Sequence, residues 1–199
     1  MKYLQILFLS SLFLIAACAS PTESNNSGVD SMNVVSEDET ESTEEIKAYT
    51  QDDQDNIQRL IRLTLNDLFK EDLDQLEIDS IGRQFIYDQV DLNNDGKKEI
   101  LIGLIGPYFC GSGGCTVLLT NGYGDLITQF SVSDYPFYVD QETSNGWNSL
   151  IIYSGSENRL VKFDGETYPS NPSTLEVYSG DVDRLLKLLD IENQERKFF

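Results

Sequence analysis

Residues 85–105 read FIYDQVDLNNDGKKEILIGLI, and the change of rhythm along this stretch decides the fold. Phe85-Ile86-Tyr87 with Val90 has the aromatic and β-branched composition of a strand. Ile100 to Ile105 is an apolar run of strand length, which predicts a buried strand. Between the two, Asp, Asn and Gly cluster as they do in turns. So short a connection leaves no room for a helical crossover, so neighbouring strands pair antiparallel.

Working outward, the same grammar continues. Thr116–Thr120 and Leu126–Val132 flank Asn121-Gly122-Tyr123-Gly124, a hairpin signal. Leu150–Tyr153 and Leu160–Phe163 read as further strands, and Asp164-Gly165 as a tight turn leading to Thr167-Tyr168. On the N-terminal side, Ile57, Leu60, Ile61, Leu65, Leu68, Leu73 and Leu76 recur at helical spacing. Thr50 is a cap, Asp52, Asp53 and Asp55 suit the positive end of the helix dipole, and Gly82 is a stop. At the other end, Val182, Leu185, Leu186 and Leu189 predict a short C-terminal helix, with Ser179 or Asp181 as its cap. The expected fold is α+β: an N-terminal amphipathic helix, a mostly antiparallel meandering sheet and a short C-terminal helix.

The chain has 199 residues, 34 acidic and 14 basic side chains, no histidine and 3 cysteines. Without histidine there is no Ser-His-Asp or Cys-His catalysis, no His-ligated zinc and no imidazole switch. A formal net charge of −20 opposes approach to phosphate backbones, which argues against nucleic acid as a partner.

The first residues, MKYLQILFLSSLFLIAACAS, place Lys2 before an apolar stretch too short to span a bilayer comfortably and ending in small residues. That is the pattern of a secretory signal over residues 1–17. Ile15-Ala16-Ala17-Cys18 resembles the bacterial lipobox. The resemblance implies cleavage before Cys18, a diacylglycerol thioether on its sulfur, acylation of the new amino group, and therefore a membrane partner held through a lipid anchor at the cell envelope. Several acyl chains retain a protein on a membrane where one chain binds only marginally. Ala19, not Asp, follows the cysteine, which in a Gram-negative cell implies the outer membrane. Residues 19–50 are rich in Ser, Thr, Asn and acids and carry a net charge of −7. With Cys18 they form an expected lipidated and disordered tether over 18–50, whose random-coil span is roughly 30 Å. Residues 51–199, at −14, have the size of one domain.

The loop Asp91-Leu92-Asn93-Asn94-Asp95-Gly96-Lys97-Lys98-Glu99 puts oxygen-bearing side chains at positions 1, 3, 5 and 9 and glycine at 6. Calcium takes six to eight oxygens, and this alternation lets a tight loop direct Asp91, Asn93, Asp95 and Glu99 inward, with the Lys97 carbonyl completing the set. The acidic residue that an EF-hand carries at position 12 is replaced by Ile102. The alternative is a strand connection whose Asp and Asn side chains bond their own backbone without metal. Val90 to Ile102 resembles the FG-GAP or VCBS-type loop of secreted bacterial proteins, which joins strands and is associated with calcium. One copy does not imply a propeller. PYFCGSGGCTVLL, NGW and KFDGETYPSNPS resemble a set of uncharacterised bacterial lipoproteins, a resemblance that brings no function with it.

Cys110-Gly111-Ser112-Gly113-Gly114-Cys115 predicts a disulfide between Cys110 and Cys115 in an oxidising compartment. The four-residue spacer argues against a thioredoxin-type motif. Most of the mid-domain aromatics are expected in the core. Tyr108, Tyr123, Tyr135 and Trp147 fall in expected loops, and Tyr108, Tyr123 and Trp147, with Ser112 of the Gly-rich loop, form a candidate surface for a glycan or protein partner. No catalytic residue is assigned, because any two of so many acids can be drawn as a pair. The leading reading is a lipid-anchored, non-catalytic binding or accessory domain. The alternatives are an inhibitor or immunity protein against a basic envelope enzyme, for which the acidic domain suits electrostatic steering, and a carboxylate-based glycan hydrolase.

Overall fold

A computed structural model describes residues 51–199. The expected signal over 1–17, the lipidated Cys18, the Thr50 cap and the acidic segment 19–50 lie outside the described residues.

Helix α1, Gln51–Leu68, starts with Asp52 and Asp53 in its first turn and buries Ile61 and Leu65. A second, five-residue helix, α2, Lys70–Asp74, follows at once. Phe69 at the joint leaves helical geometry (φ −106°, ψ 22°), yet its N–H still donates to the Leu65 carbonyl at 3.0 Å and its carbonyl accepts from Leu73 N–H at 2.9 Å. The ladder therefore runs through the bend. Helical structure ends at Asp74, and Leu76 turns the chain at φ 61°, so Gly82 is not the stop. Gly82 instead lies against Gly106, where an added Cβ would stand 2.7 Å from the Gly82 Cα.

The strands are β1 (Gln84–Val90), β2 (Glu99–Ile105), β3 (Cys110–Gly111), β4 (Gly114–Thr120), β5 (Leu126–Ser144), β6 (Trp147–Ser154), β7 (Glu157–Val161), β8 (Leu186–Leu188) and β9 (Lys197–Phe198). Among the described residues they form one sheet in the order β7-β6-β5-β4-β2-β1-β9, with β3 on β4 and β8 on β5. Every ladder is antiparallel. Val90 pairs with Glu99, which makes 91–98 the connection of the β1–β2 hairpin.

The buried apolar run works as its composition requires. Ile100, Ile102 and Leu104 pack with Ile61 and Leu65 of α1 and with Phe85 and Leu118. Leu101, on the opposite face of β2, joins Ile86, Val117, Leu119, Phe130, Phe137, Leu150 and Tyr168 in a second core. Alternate side chains of one strand thus fill two cores. At Gly103 a Cβ would come within 2.6 Å of the Tyr135 ring, and the Tyr135 hydroxyl donates to the Leu104 carbonyl at 2.8 Å. Here the run needs glycine to let an aromatic ring cross the strand.

β5 is long enough to serve two neighbours. Its first half pairs with β4 and its second with β6. Val132, at φ 55°, sits where pairing passes from one to the other. A β-branched residue rarely adopts this region, and the Ser154 hydroxyl holds it there by donating to the Val132 carbonyl.

The expected C-terminal helix is replaced by other structure. Val182–Arg184 is a single 3-10 turn capped by the Asp181 side chain, and Leu186–Leu188 is β8, paired with Phe137–Val139 on the β5 edge opposite β6. Eight residues are too few for a helix to form by propensity alone. The unpaired edge of β5 offers backbone partners; Leu188 ends β8 and Leu189, turned to φ 54° just beyond it, is buried beside it in the same core. The Asp88 carboxylate accepts the Leu189 N–H at 2.6 Å.

Candidate functional site

The β1–β2 connection is held by its own side chains. The Asp91 carboxylate accepts from Asp95 N–H at 3.2 Å and Gly96 N–H at 2.9 Å. Asn93 accepts from Asp95 N–H at 3.0 Å, and Asp95 from Lys97 N–H at 2.8 Å. Asn94 and Gly96 take the positive φ values, 57° and 82°, that the tight turn demands. Among the described residues, no group of three or more His, Cys, Asp or Glu is gathered as a metal cage.

Glu99 stands apart from its neighbours. It is only 4% exposed, and one carboxylate oxygen accepts the Leu92 N–H at 2.8 Å. Burial pushes its carboxyl above the ordinary range. The hydrogen bond from Leu92 opposes that shift, and the negative charges of Asp91 and Asp95 add to it. Glu99 therefore braces the loop from below.

A groove of about 710 Å³ opens beside this loop. Asn93, Asp95, Lys97, Lys98 and Glu99 form one wall. Asn121, Gly122 and Tyr123 of the β4–β5 turn form another, and Trp147 at the start of β6 stands with them. The Tyr123 turn is rigid. Asn121 accepts from Tyr123 N–H at 2.9 Å and Asp125 N–H at 3.0 Å, and its amide donates to Asp125 at 2.9 Å. The Tyr123 side chain remains 74% exposed. Trp147 stacks on Phe163 with centroids 4.5 Å apart and planes at 15°, and meets Tyr168 edge-on at 6.2 Å. The aspartate loop, Tyr123 and Trp147 thus share one concave surface, with Trp147 in strand β6, and Tyr135 in β5, in place of the expected loops.

The other two candidate surface residues lie elsewhere. Tyr108 meets Phe109 edge-on at 4.9 Å, and Phe109 in turn meets Phe69 at the α1–α2 joint. Desolvation, then the hydrogen bond and charge of Asp72, raise the Tyr108 phenol. Ser112 is exposed in the turn between β3 and β4. Cys110 and Cys115 are bonded across that hairpin as directly opposed residues, stapling it at a distance from the groove's lining.

Sequence reasoning missed Gln89, Ile57, Lys98, Asn121 and Ile127, which also line the groove. Asn121 reads as turn chemistry and Ile57 as helix core. The pairing of β1, β2 and β4, with α1 packed on them, puts them together. Compared with known proteins, the chain matches no family model, no curated protein and no solved structure.

Proposed function

We propose that this chain is a lipid-anchored lipoprotein of the bacterial cell envelope whose domain is a non-catalytic binding module. The groove carries the reading: one concave surface combines two aromatic rings, one of them held by a stacked neighbour, with carboxylate, amide and ammonium groups. Its volume lies within the range of about 300–1,000 Å³ in which small-ligand sites fall. The lipobox-like Ile15-Ala16-Ala17-Cys18 supports attachment through Cys18, on the outer membrane in a Gram-negative cell, with the acidic segment 19–50 as spacer. Calcium in the aspartate loop, held by Asp91, Asn93, Asp95, the Lys97 carbonyl and Glu99, is a structural part of the proposal.

The non-catalytic reading rests on chemistry. No histidine is present, and the one carboxyl of the groove that burial perturbs, Glu99, spends an oxygen on the Leu92 N–H. The inhibitor or immunity reading draws on the net −14 of residues 51–199. It is the weaker reading for this groove, whose two carboxylates, Asp95 and Glu99, are matched by Lys97 and Lys98.

Expression of the full chain in a bacterial host fed labelled palmitate tests the proposal. Label is expected on the protein and lost in Cys18→Ala, with release from the membrane fraction. Envelope glycan incubated with the protein is expected back uncleaved. Label that survives Cys18→Ala overturns the anchor, and newly formed reducing ends overturn the non-catalytic reading.

A further inference from the structure

The geometry points to an uncharged saccharide as the ligand of the groove between the aspartate loop, Tyr123 and Trp147. This inference rests on the binding-domain reading above and narrows it to a chemical class.

Charge is the first argument. Residues 51–199 carry a net −14, yet the groove sets Asp95 and Glu99 against Lys97 and Lys98. These four lining groups cancel, so a polyanion or a polycation finds no net charge on the groove's own wall, whereas a neutral ligand meets donors and acceptors of both kinds.

The second argument is the pairing of flat aromatic and planar polar groups. A pyranose ring has an apolar C–H face and an equatorial rim of hydroxyls. The electron-rich face of an aromatic ring attracts the C–H face. Tyr123 is exposed on a turn that Asn121 locks, and Trp147 is oriented by its stack on Phe163. The Trp147 ring needs no ordering on binding, which lowers the entropic cost. The rim hydroxyls both donate and accept. Asn93 and Asn121 each spend one amide N–H on their own turns, and a primary amide has two. Asp95 accepts from Lys97 N–H through one oxygen and from Asn93 through the other, with acceptor capacity left on both; calcium, when bound, takes that capacity, and the Asn93 and Asn121 amides then serve the hydroxyl rim.

Trp147 is the chain's single tryptophan, so tryptophan emission, excited beyond the tyrosine absorption band, reports on this groove alone. The test titrates the full chain with cellohexaose, chitohexaose and maltohexaose, following emission and calorimetric heat, with polygalacturonate and poly-lysine as charged probes. At least one neutral oligosaccharide is expected to give a saturable emission change. Its affinity should drop about tenfold or more in Tyr123→Ala and stay within about twofold between low and high salt, because no counterions are released. Tyr123 is largely exposed, so the variant should melt with the parent. Silence with all three sugars at about 10 mM, well above ordinary binding constants, overturns the inference. So does binding that Tyr123→Ala leaves unchanged, or saturable binding of a charged probe alone. Palmitate labelling at Cys18 is an independent readout. If it persists while the sugars fail, only the saccharide assignment falls. If it is lost while the sugars bind, only the anchor falls.

Discussion

The Asn148 main-chain N–H donates to the Leu92 carbonyl at 2.7 Å. Leu92 is the second residue of the aspartate loop, and Asn148 follows Trp147. The Leu92 N–H is itself bound to Glu99, and the Asn148 carbonyl accepts from the Tyr168 hydroxyl at 2.6 Å. One continuous set of hydrogen bonds therefore runs from the loop, through the first residues of β6, into the second core. The loop and the tryptophan belong to one frame because the backbone of Leu92 is bonded to that of Asn148, next to Trp147.

Glu99 supplies a test of that frame through pH. Its carboxyl is raised, chiefly by burial, so between the ordinary carboxyl value, about 4.3, and the higher folded value the native state binds more protons than the unfolded state. Stability then falls as pH rises through that window. With chelator present, Glu99→Gln is expected to melt higher than the parent at pH 7, and the gap should close toward pH 4. A variant that melts lower at pH 7 with an undiminished gap at pH 4 contradicts this account of Glu99.

Gly114 tests the junction behind the disulfide. Its φ is +120°, and a Cβ there would stand 2.6 Å from the Ser133 nitrogen and 2.9 Å from the Ser133 oxygen. Backbone cannot move aside as a side-chain tip can. Gly114→Ala is expected to lose about 2 kcal/mol or more in denaturant unfolding. A loss under about 0.5 kcal/mol, the scale of an ordinary surface change, contradicts the close packing.

The disulfide closes a small ring. Replacing Cys110 and Cys115 together by serine is expected to cost about 2 kcal/mol in the chain-entropy account. Amide exchange should rise at β3 and the start of β4 and stay unchanged at β6 and β7. Exchange that rises uniformly across the sheet would mean the bridge supports the whole fold.

Calcium has a direct thermal readout. Under the proposed role, saturating calcium raises the melting temperature, with a stabilisation of about 2.7 kcal/mol at a hundredfold excess over the dissociation constant. Asp95→Ala removes that shift. An unchanged melting curve with calcium and with chelator removes calcium from the account and leaves the loop as the self-bonded turn its hydrogen bonds describe.

Much of this fold is legible in the residues themselves. Ile100–Ile105 reads as a buried strand because both of its faces meet a core, and Asn121–Gly124 reads as a turn because Asn121 bonds the turn's own backbone and Gly124 takes φ 92°. Leu186–Leu188 is not legible in the same way. Its apolar spacing fits a helix, and its strand geometry comes from the open edge of β5, some fifty residues away in sequence. The break at Phe69 is equally non-local, since its ring is drawn to Phe109. The groove follows the same division. Asp91 to Glu99 stands out by spacing, and Tyr123 and Trp147 by chemistry. Their meeting depends on antiparallel register, which places the β1–β2 and β4–β5 turns at the same end of the sheet, and on the Leu92–Asn148 bond.

The central claim is that this groove is what the domain binds with. Co-sedimentation of the full chain with purified bacterial envelope glycan, parent against Tyr123→Ala, tests it most directly. The account predicts that the parent sediments saturably, and that the variant, with palmitate label and melting temperature intact, falls about tenfold or more in affinity. Equal sedimentation of parent and variant would contradict it.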